Sequence, residues 1–292
     1  MIELRSGGVR ARVTTRGGAI LRLDCGAVPL LRPAGDGAEP GGSACFPLVP
    51  FGNRVRGNRF SFRGRDYHLR PNRPTDPHYL HGEGWLSDWG IRDRGATSVT
   101  MDHSHDGSAL PYVYDAVQRL SLRPDGADLE LSVTNRGAHA MPFGLGWHPY
   151  YPMTPATTLQ TEASRLWTED PGWLPGHPVD VPAEMDFSTP RHLPAHWVNN
   201  GYDGWSGKAR ITWPERGLAL RITADPVFRV MFLFVSDTSF DAGYQRDHFA
   251  LEPMSHMADG HNQTDLGGLA VLEPGESLSG RMGLTVEVPQ AP

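Results

Sequence analysis

Leu120-Ser121-Leu122-Arg123-Pro124-Asp125-Gly126-Ala127-Asp128-Leu129-Glu130-Leu131-Ser132-Val133 is the stretch on which the fold turns. Leucines alternate with polar residues before Pro124-Asp125-Gly126, and Leu129, Leu131 and Val133 alternate after it. A two-residue period places one set of side chains on one face of a strand. Turn-forming residues between two such runs reverse the chain, so the segment is predicted to be a β-hairpin. Working outward, Val9, Ala11 and Val13 alternate with arginines, and Ile211 and Trp213 lead through Pro214-Glu215-Arg216-Gly217 to Leu218, Leu220 and Ile222 as a second hairpin. Met282, Leu284, Val286 and Val288 read as a terminal strand after the turn Pro274-Gly275-Glu276. Helical periodicity is scarce. Many short strands joined by Gly/Pro turns define an all-β class, a sandwich or a barrel. With no linker-like shift in composition, the expectation is one large antiparallel β-sandwich over residues 1–292.

Two segments break the strand rhythm. Residues 33–43 are rich in Gly, Pro and Ala and read as a surface loop. Residues 152–200 are Pro-rich without sustained periodicity and too long for an ordinary connection. Long loops on rigid β scaffolds commonly carry function, so this one is expected to border a cleft.

A formal net charge of −6, with Lys208 the only lysine, gives no basic footprint for nucleic acid. The series Arg54, Arg56, Arg59, Arg63 and Arg65 is interrupted by glycines and apolar residues, and reads as strand and turn surface with one functional member at most. Cys25 and Cys45 are too few for a disulfide framework and are expected to be small buried thiols. The N-terminus lacks the apolar core of a signal peptide, and the longest apolar run, residues 227–235, is interrupted by Arg229 and reads as a buried strand. A soluble, cytoplasmic protein without membrane contact is expected, as a monomer or homodimer.

Four segments carry chemistry. Gly144-Leu145-Gly146-Trp147-His148-Pro149-Tyr150-Tyr151-Pro152 fixes a histidine between a proline and aromatic rings. Imidazole exchanges a proton near neutral pH, and aromatic faces are what a pyranose stacks on. Leu251-Glu252-Pro253 offers a carboxylate at the end of an apolar approach, at a sheet edge or cleft wall, where burial would raise its proton affinity into the range of a base. Pro50-Phe51-Gly52-Asn53-Arg54 presents polar groups rigidly, with Arg54 supplying a fork of donors for sugar hydroxyls. His78-Tyr79-Leu80-His81-Gly82-Glu83-Gly84-Trp85 sets His81 beside glycines and a tryptophan, suited to hydrogen bonding a stacked sugar. Each has a plainer alternative: a packed core histidine, a surface ion pair, a loop-capping glutamate. A metal held by His78, His81 and Glu83 is disfavoured because His78 and His81 would face opposite sides of a strand. His256, Asp259 and His261 stay open as further lining residues. A glycosidase would need a second carboxylate matched to Glu252, and none of comparable quality stands out beside Glu83 and Asp88.

Taken in this order, Pro50-Phe51-Gly52-Asn53-Arg54, Leu80-His81-Gly82, His148-Pro149-Tyr150-Tyr151 and Leu251-Glu252-Pro253 resemble the aldose 1-epimerase (galactose mutarotase) family. The resemblance runs from Gly17-Gly18-Ala19-Ile20 to Leu272-Glu273-Pro274-Gly275-Glu276, and the style of residues 46–50 and 252–257 is similar to a less characterised bacterial branch. It implies a sugar-binding cleft in a β-sandwich, no cofactor and no metal, His148 as general acid and Glu252 as general base. It also implies that Asn53, Arg54 and His81 bind a monosaccharide. Where the family commonly has a binding aspartate, this chain places Asn199, with Asp203 as the alternative if the loop is shifted. The expected activity is interconversion of the α and β anomers of a free aldohexose or related pyranose. A catalytically silent sugar-binding protein on the same scaffold is the rival from another class, and retention of both His148 and Glu252 favours the enzyme.

Overall fold

A computed structural model describes residues 1–288. The hairpin closes at Pro124-Asp125, with Arg123 opposite Gly126, in a nine-stranded antiparallel sheet. In spatial order this sheet runs Gly90–Arg94, Ser98–Asp106, Val113–Arg123, Gly126–Asn135, Ser277–Glu287, Leu218–Ala224, Lys208–Trp213, Thr158–Thr161 and Arg191–His192. Gly126 is needed for close approach: a Cβ there would lie 1.9 Å from the carbonyl oxygen of Leu284 on the terminal strand. Alternation holds along Val113–Arg123, where Tyr114, Ala116, Leu120 and Leu122 are buried. Deleting such a side chain, as in Leu131→Ala, costs about 2–5 kcal/mol through lost burial and the cavity left behind.

The second large sheet has eight strands. Its path is Leu174–Val179, Arg165–Asp170, Val198–Asp203, Val230–Val235, His248–Met254, Gly146–Trp147 and Pro47–Leu48, with Tyr150–Pro152 also paired to His248–Met254. Met231, Leu233, Phe249 and Leu251 join one continuous core with Leu129, Leu131, Leu220 and Ile222 of the nine-stranded sheet. That core is the filling of a β-sandwich. A four-stranded sheet of Ile2–Ser6, Val9–Val13, Ile20–Cys25 and Val28–Pro29 adds Ile2, Leu4, Val9 and Val13 to it. The opposite face of the eight-stranded sheet packs a separate cluster that includes Phe46, Leu48, Trp85, Phe232 and Met254. His248–Met254 is therefore covered on both faces, and all seven of its residues are buried.

Residues 152–200 correct the expectation of a long irregular connection. They contain the strands Thr158–Thr161, Arg165–Asp170, Leu174–Val179 and Arg191–His192 and begin Val198–Asp203. Leu174–Val179 is an edge strand, where Pro175 and Pro178 are tolerated because one row of N–H groups needs no partner. Short edge strands interrupted by proline leave no alternation to read. Residues 33–43 are irregular apart from a 3-10 turn at Pro40–Gly42, as expected. Cys45 is buried, whereas Cys25 is only half-buried, and both are free thiols. No helix among the described residues is long and apolar enough to cross a membrane.

Candidate active site

Strand register builds the centre of the site. Glu252 pairs with Phe232, and alternation sends both to the face opposite the sandwich core. Gly146 pairs with Met254 and Tyr150 with Ala250, so His148, midway between them, is carried over Glu252. His148 Nε2 lies 3.2 Å from Glu252 Oε1. The His148 backbone N–H donates to the Phe46 carbonyl at 2.9 Å, and the Phe46 ring stacks on the imidazole at 4.8 Å with Tyr150 tilted against it at 4.6 Å. Glu252 is on a central strand and forms a cleft wall, so the sheet-edge alternative falls away.

Burial dominates the electrostatics of this pair. It lowers the proton affinity of His148 to a pKa of about 3, with Arg32, Arg54 and His248 pushing the same way. It raises that of Glu252 well above the usual carboxylate range, against a smaller downward pull from Arg54. Both shifts favour the uncharged forms, a neutral imidazole and a protonated carboxyl. His148 Nδ1 and Glu252 Oε2 are buried without hydrogen-bond partners among the described residues. Its own backbone carbonyl favours the charged imidazole, but by less than burial opposes it.

The pair forms one wall of a cavity of about 400 Å³ that Asn53, Arg54, His81 and Asn199 also line. All six site residues read from the sequence thus meet in one place. Asn53 and His81 both adopt left-handed backbone, at φ 59° and 62°, and face each other. The Asn53 N–H donates to His81 Nδ1 at 2.9 Å and the His81 N–H donates to the Asn53 carbonyl at 2.9 Å. An accepting Nδ1 places the imidazole proton on Nε2. Burial, reinforced by His148 and Arg54, keeps His81 neutral, so it offers the cavity a donor. The adjacent Gly82, at φ 69°, sits where a Cβ would lie 2.6 Å from the Val49 carbonyl oxygen.

Arg54 is held by two residues that sequence reasoning missed. Its Nε donates to Asp76 Oδ2 at 2.9 Å with Nη2 also 2.9 Å from that oxygen, and its guanidinium lies 5.1 Å from the centroid of the Trp173 ring. Arg54 and Asp76 are buried, so the ion pair is shielded from screening. Arg56 binds Asp259 and Asp170 instead and does not line the cavity.

Asn199 pairs in register with Phe234, and its Nδ2 donates to Glu169 Oε1 at 2.7 Å. The other oxygen of Glu169 accepts from Trp197 Nε1 at 2.7 Å. Asp203 is ruled out as the alternative: it is bound by Arg165 and by Trp167 Nε1, away from the cavity. The segment 152–200 does border the site, through Trp173 and Asn199. The loop 236–247 brings Phe240 to the rim, against Trp173 at 5.4 Å and Trp197 at 5.1 Å.

The remaining histidines lie behind the site. His256 Nε2 accepts from the Gly52 N–H at 3.0 Å, anchoring the turn that carries Asn53, and His261 meets the Tyr112 hydroxyl at 2.8 Å. Neither lines the cavity. His78, His81 and Glu83 do not converge: His81 faces Asn53, while Glu83 accepts from the Tyr79 hydroxyl. Among the described residues no three His, Cys, Asp or Glu side chains are grouped to hold a metal ion.

Known proteins resemble this chain in sequence and fold. The family model described as aldose 1-epimerase matches residues 1–285. The chain is 44% identical over 285 residues to the uncharacterized protein YphB of Escherichia coli (strain K12), covering 97% of this chain and 98% of that protein. A crystal structure from Escherichia coli K12 superposes with a TM-score of 0.95 at 44% identity, covering 98% of both chains. A galactose mutarotase-like protein from Clostridium acetobutylicum, 17% identical, shares the fold with a TM-score of 0.86, over 98% of this chain and 95% of that one. The chain belongs to the aldose 1-epimerase family.

Proposed function

We propose that this protein is a mutarotase, interconverting the α and β anomers of a free aldohexose or related pyranose. The observation that carries the reading is the buried His148–Glu252 pair, 3.2 Å apart, on the wall of a cavity that also presents Arg54 and His81. Anomer exchange needs one proton on this pair. With that proton on His148, Glu252 takes the proton of the anomeric hydroxyl while His148 gives its proton to the ring oxygen. The C1–O5 bond breaks, the C1–O1 bond becomes a carbonyl, and the open-chain aldose rotates about C1–C2. Addition of the O5 hydroxyl to the other face of the aldehyde returns both protons and closes the second anomer.

Ring opening leaves the proton on Glu252 and His148 neutral, which is the arrangement that burial favours. The environment thus leans toward the protonation state of the open chain, and reclosure restores the charged pair. Each positioned proton transfer contributes about 10²–10⁴-fold. Polarimetry on freshly dissolved α-D-glucose and α-D-galactose tests the reading. Accelerated decay of rotation, lost in Glu252→Gln, is the expected result. Binding of the sugars without acceleration would replace the enzyme by a silent sugar-binding protein.

A further inference from the structure

We infer that Glu169, outside the cavity, is a positioning residue that fixes Asn199 to present a hydrogen-bond acceptor to a sugar hydroxyl remote from the anomeric carbon. The inference rests on the mutarotase reading for the placement of the sugar. A carboxylate has only acceptors, so an Asn199 side chain 2.7 Å from Glu169 must turn its amide nitrogen toward it. Trp197 Nε1 occupies the second carboxylate oxygen at 2.7 Å, which holds Glu169 in place from the other side. The Asn199 carbonyl oxygen is then directed away from Glu169. It has no hydrogen-bond partner among the described residues, on a side chain that lines the cavity. An amide free to flip could offer either a donor or an acceptor, and this one is committed.

Register fixes which part of a sugar it meets. Asn199 pairs with Phe234 and Phe234 with Ala250, two residues from Glu252 on the same strand. Strand spacings put Asn199 about 10 Å across and about 7 Å along from Glu252 between backbones. Both side chains rise from the same face of the sheet and line the cavity. With C1 at Glu252, the Asn199 oxygen meets the far side of the ring, at the C3 or C4 hydroxyl. A group there that needs a donor from the protein is left unserved.

The test compares wild type, Glu169→Gln, Asn199→Ala and the double variant on D-glucose and its 3-deoxy and 4-deoxy analogues. Affinity is read by calorimetry and turnover by polarimetry on the same samples. Glu169→Gln puts an NH2 donor beside a single oxygen, so residue 169 no longer dictates which end of the Asn199 amide faces it. Glu169→Gln is expected to weaken D-glucose binding about tenfold, and to weaken one of the deoxy analogues far less. In the Asn199→Ala background, Glu169→Gln is expected to add nothing. Equal loss on all three sugars, or a further loss in the double variant, would overturn the inference and leave Glu169 a structural residue. Should Glu169→Gln fail to fold, Glu169→Asp, whose shorter side chain withdraws the acceptor from Asn199, takes its place in the same comparison, and an unchanged D-glucose affinity would overturn the inference. Selective binding without turnover would overturn the mutarotase reading alone, and a wild type that binds no pyranose would overturn both.

Discussion

Asn53 and His81 are tied to each other by two hydrogen bonds, each 2.9 Å, between left-handed residues that neither strand nor helix supports. His81→Phe keeps a ring of similar shape but removes the acceptor for a buried N–H, at a cost of about 1–3 kcal/mol. Because Arg54 follows Asn53 directly, the expected outcome is a lower urea midpoint together with a raised KM in polarimetry. A variant unchanged in both would show that the tie does not position the site.

Glu252→Gln and His148→Asn are each expected to lower kcat by about 10²–10⁴-fold. Burial favours the uncharged forms of both groups and both replacements are uncharged, so circular dichroism and the melting midpoint should stay close to wild type. Full turnover in either variant would remove the proton-transfer role assigned to the pair.

Stability should depend on pH with a sign that can be worked out. His148, His256 and His261 are buried, with pKa values lowered to about 3, about 4 and about 3. An unfolded histidine protonates near pH ~6.5. Between these values the unfolded chain binds more protons, so the stability these histidines allow is complete above about pH 6.5 and is lost on acidification, by up to about 1.4 kcal/mol per pH unit for each. Glu252 acts oppositely: its folded pKa is raised, so its contribution is complete below the unfolded value of about 4.3 and is lost as pH rises. Urea unfolding between pH 4.5 and 6.5 should therefore show a flatter slope in His148→Asn and a steeper one in Glu252→Gln. The same slope in all three proteins would contradict the opposite shifts that burial gives His148 and Glu252.

Asp76 and Arg54 form a buried ion pair, and breaking one from either side leaves the other charge uncompensated. Asp76→Ala is expected to cost about 3–5 kcal/mol, and to raise KM more than it lowers kcat, because Arg54 is freed to move and not removed. Arg54→Lys should raise KM as well, since a point charge cannot contact Asp76 and lie flat on Trp173 together. Steady-state polarimetry with urea melts separates the two effects, and an unaltered KM in both variants would deny Arg54 a binding role.

Much of this was legible in the chain. The Leu120–Val133 alternation gave the hairpin, and four short motifs named five residues that meet in one cavity, with Asn199 as the sixth from a separate segment. What stayed hidden has physical reasons. The strands within residues 152–200 are short, two of them lie on sheet edges, and proline breaks the pattern of Leu174–Val179. Asp76, Glu169 and Trp173 touch Arg54 and Asn199 only after folding, across 22, 30 and 119 residues of sequence. Nothing local marks them. The opposite pKa shifts of His148 and Glu252 were also invisible, because they follow from how much protein covers both groups.

The loop 236–247 joins the strand bearing Phe232 to the strand bearing Glu252 and puts Phe240 on the rim. Its two ends are anchored by the central strands of the sheet, while Ser239 and Phe240 are the only residues within it that line the cavity. For protein engineering this is a natural cassette: a library confined to residues 238–243 would reshape the entrance while leaving the proton-transfer apparatus and its supporting strands untouched. Selectivity among sugars of different size becomes a property that can be evolved in one short oligonucleotide window.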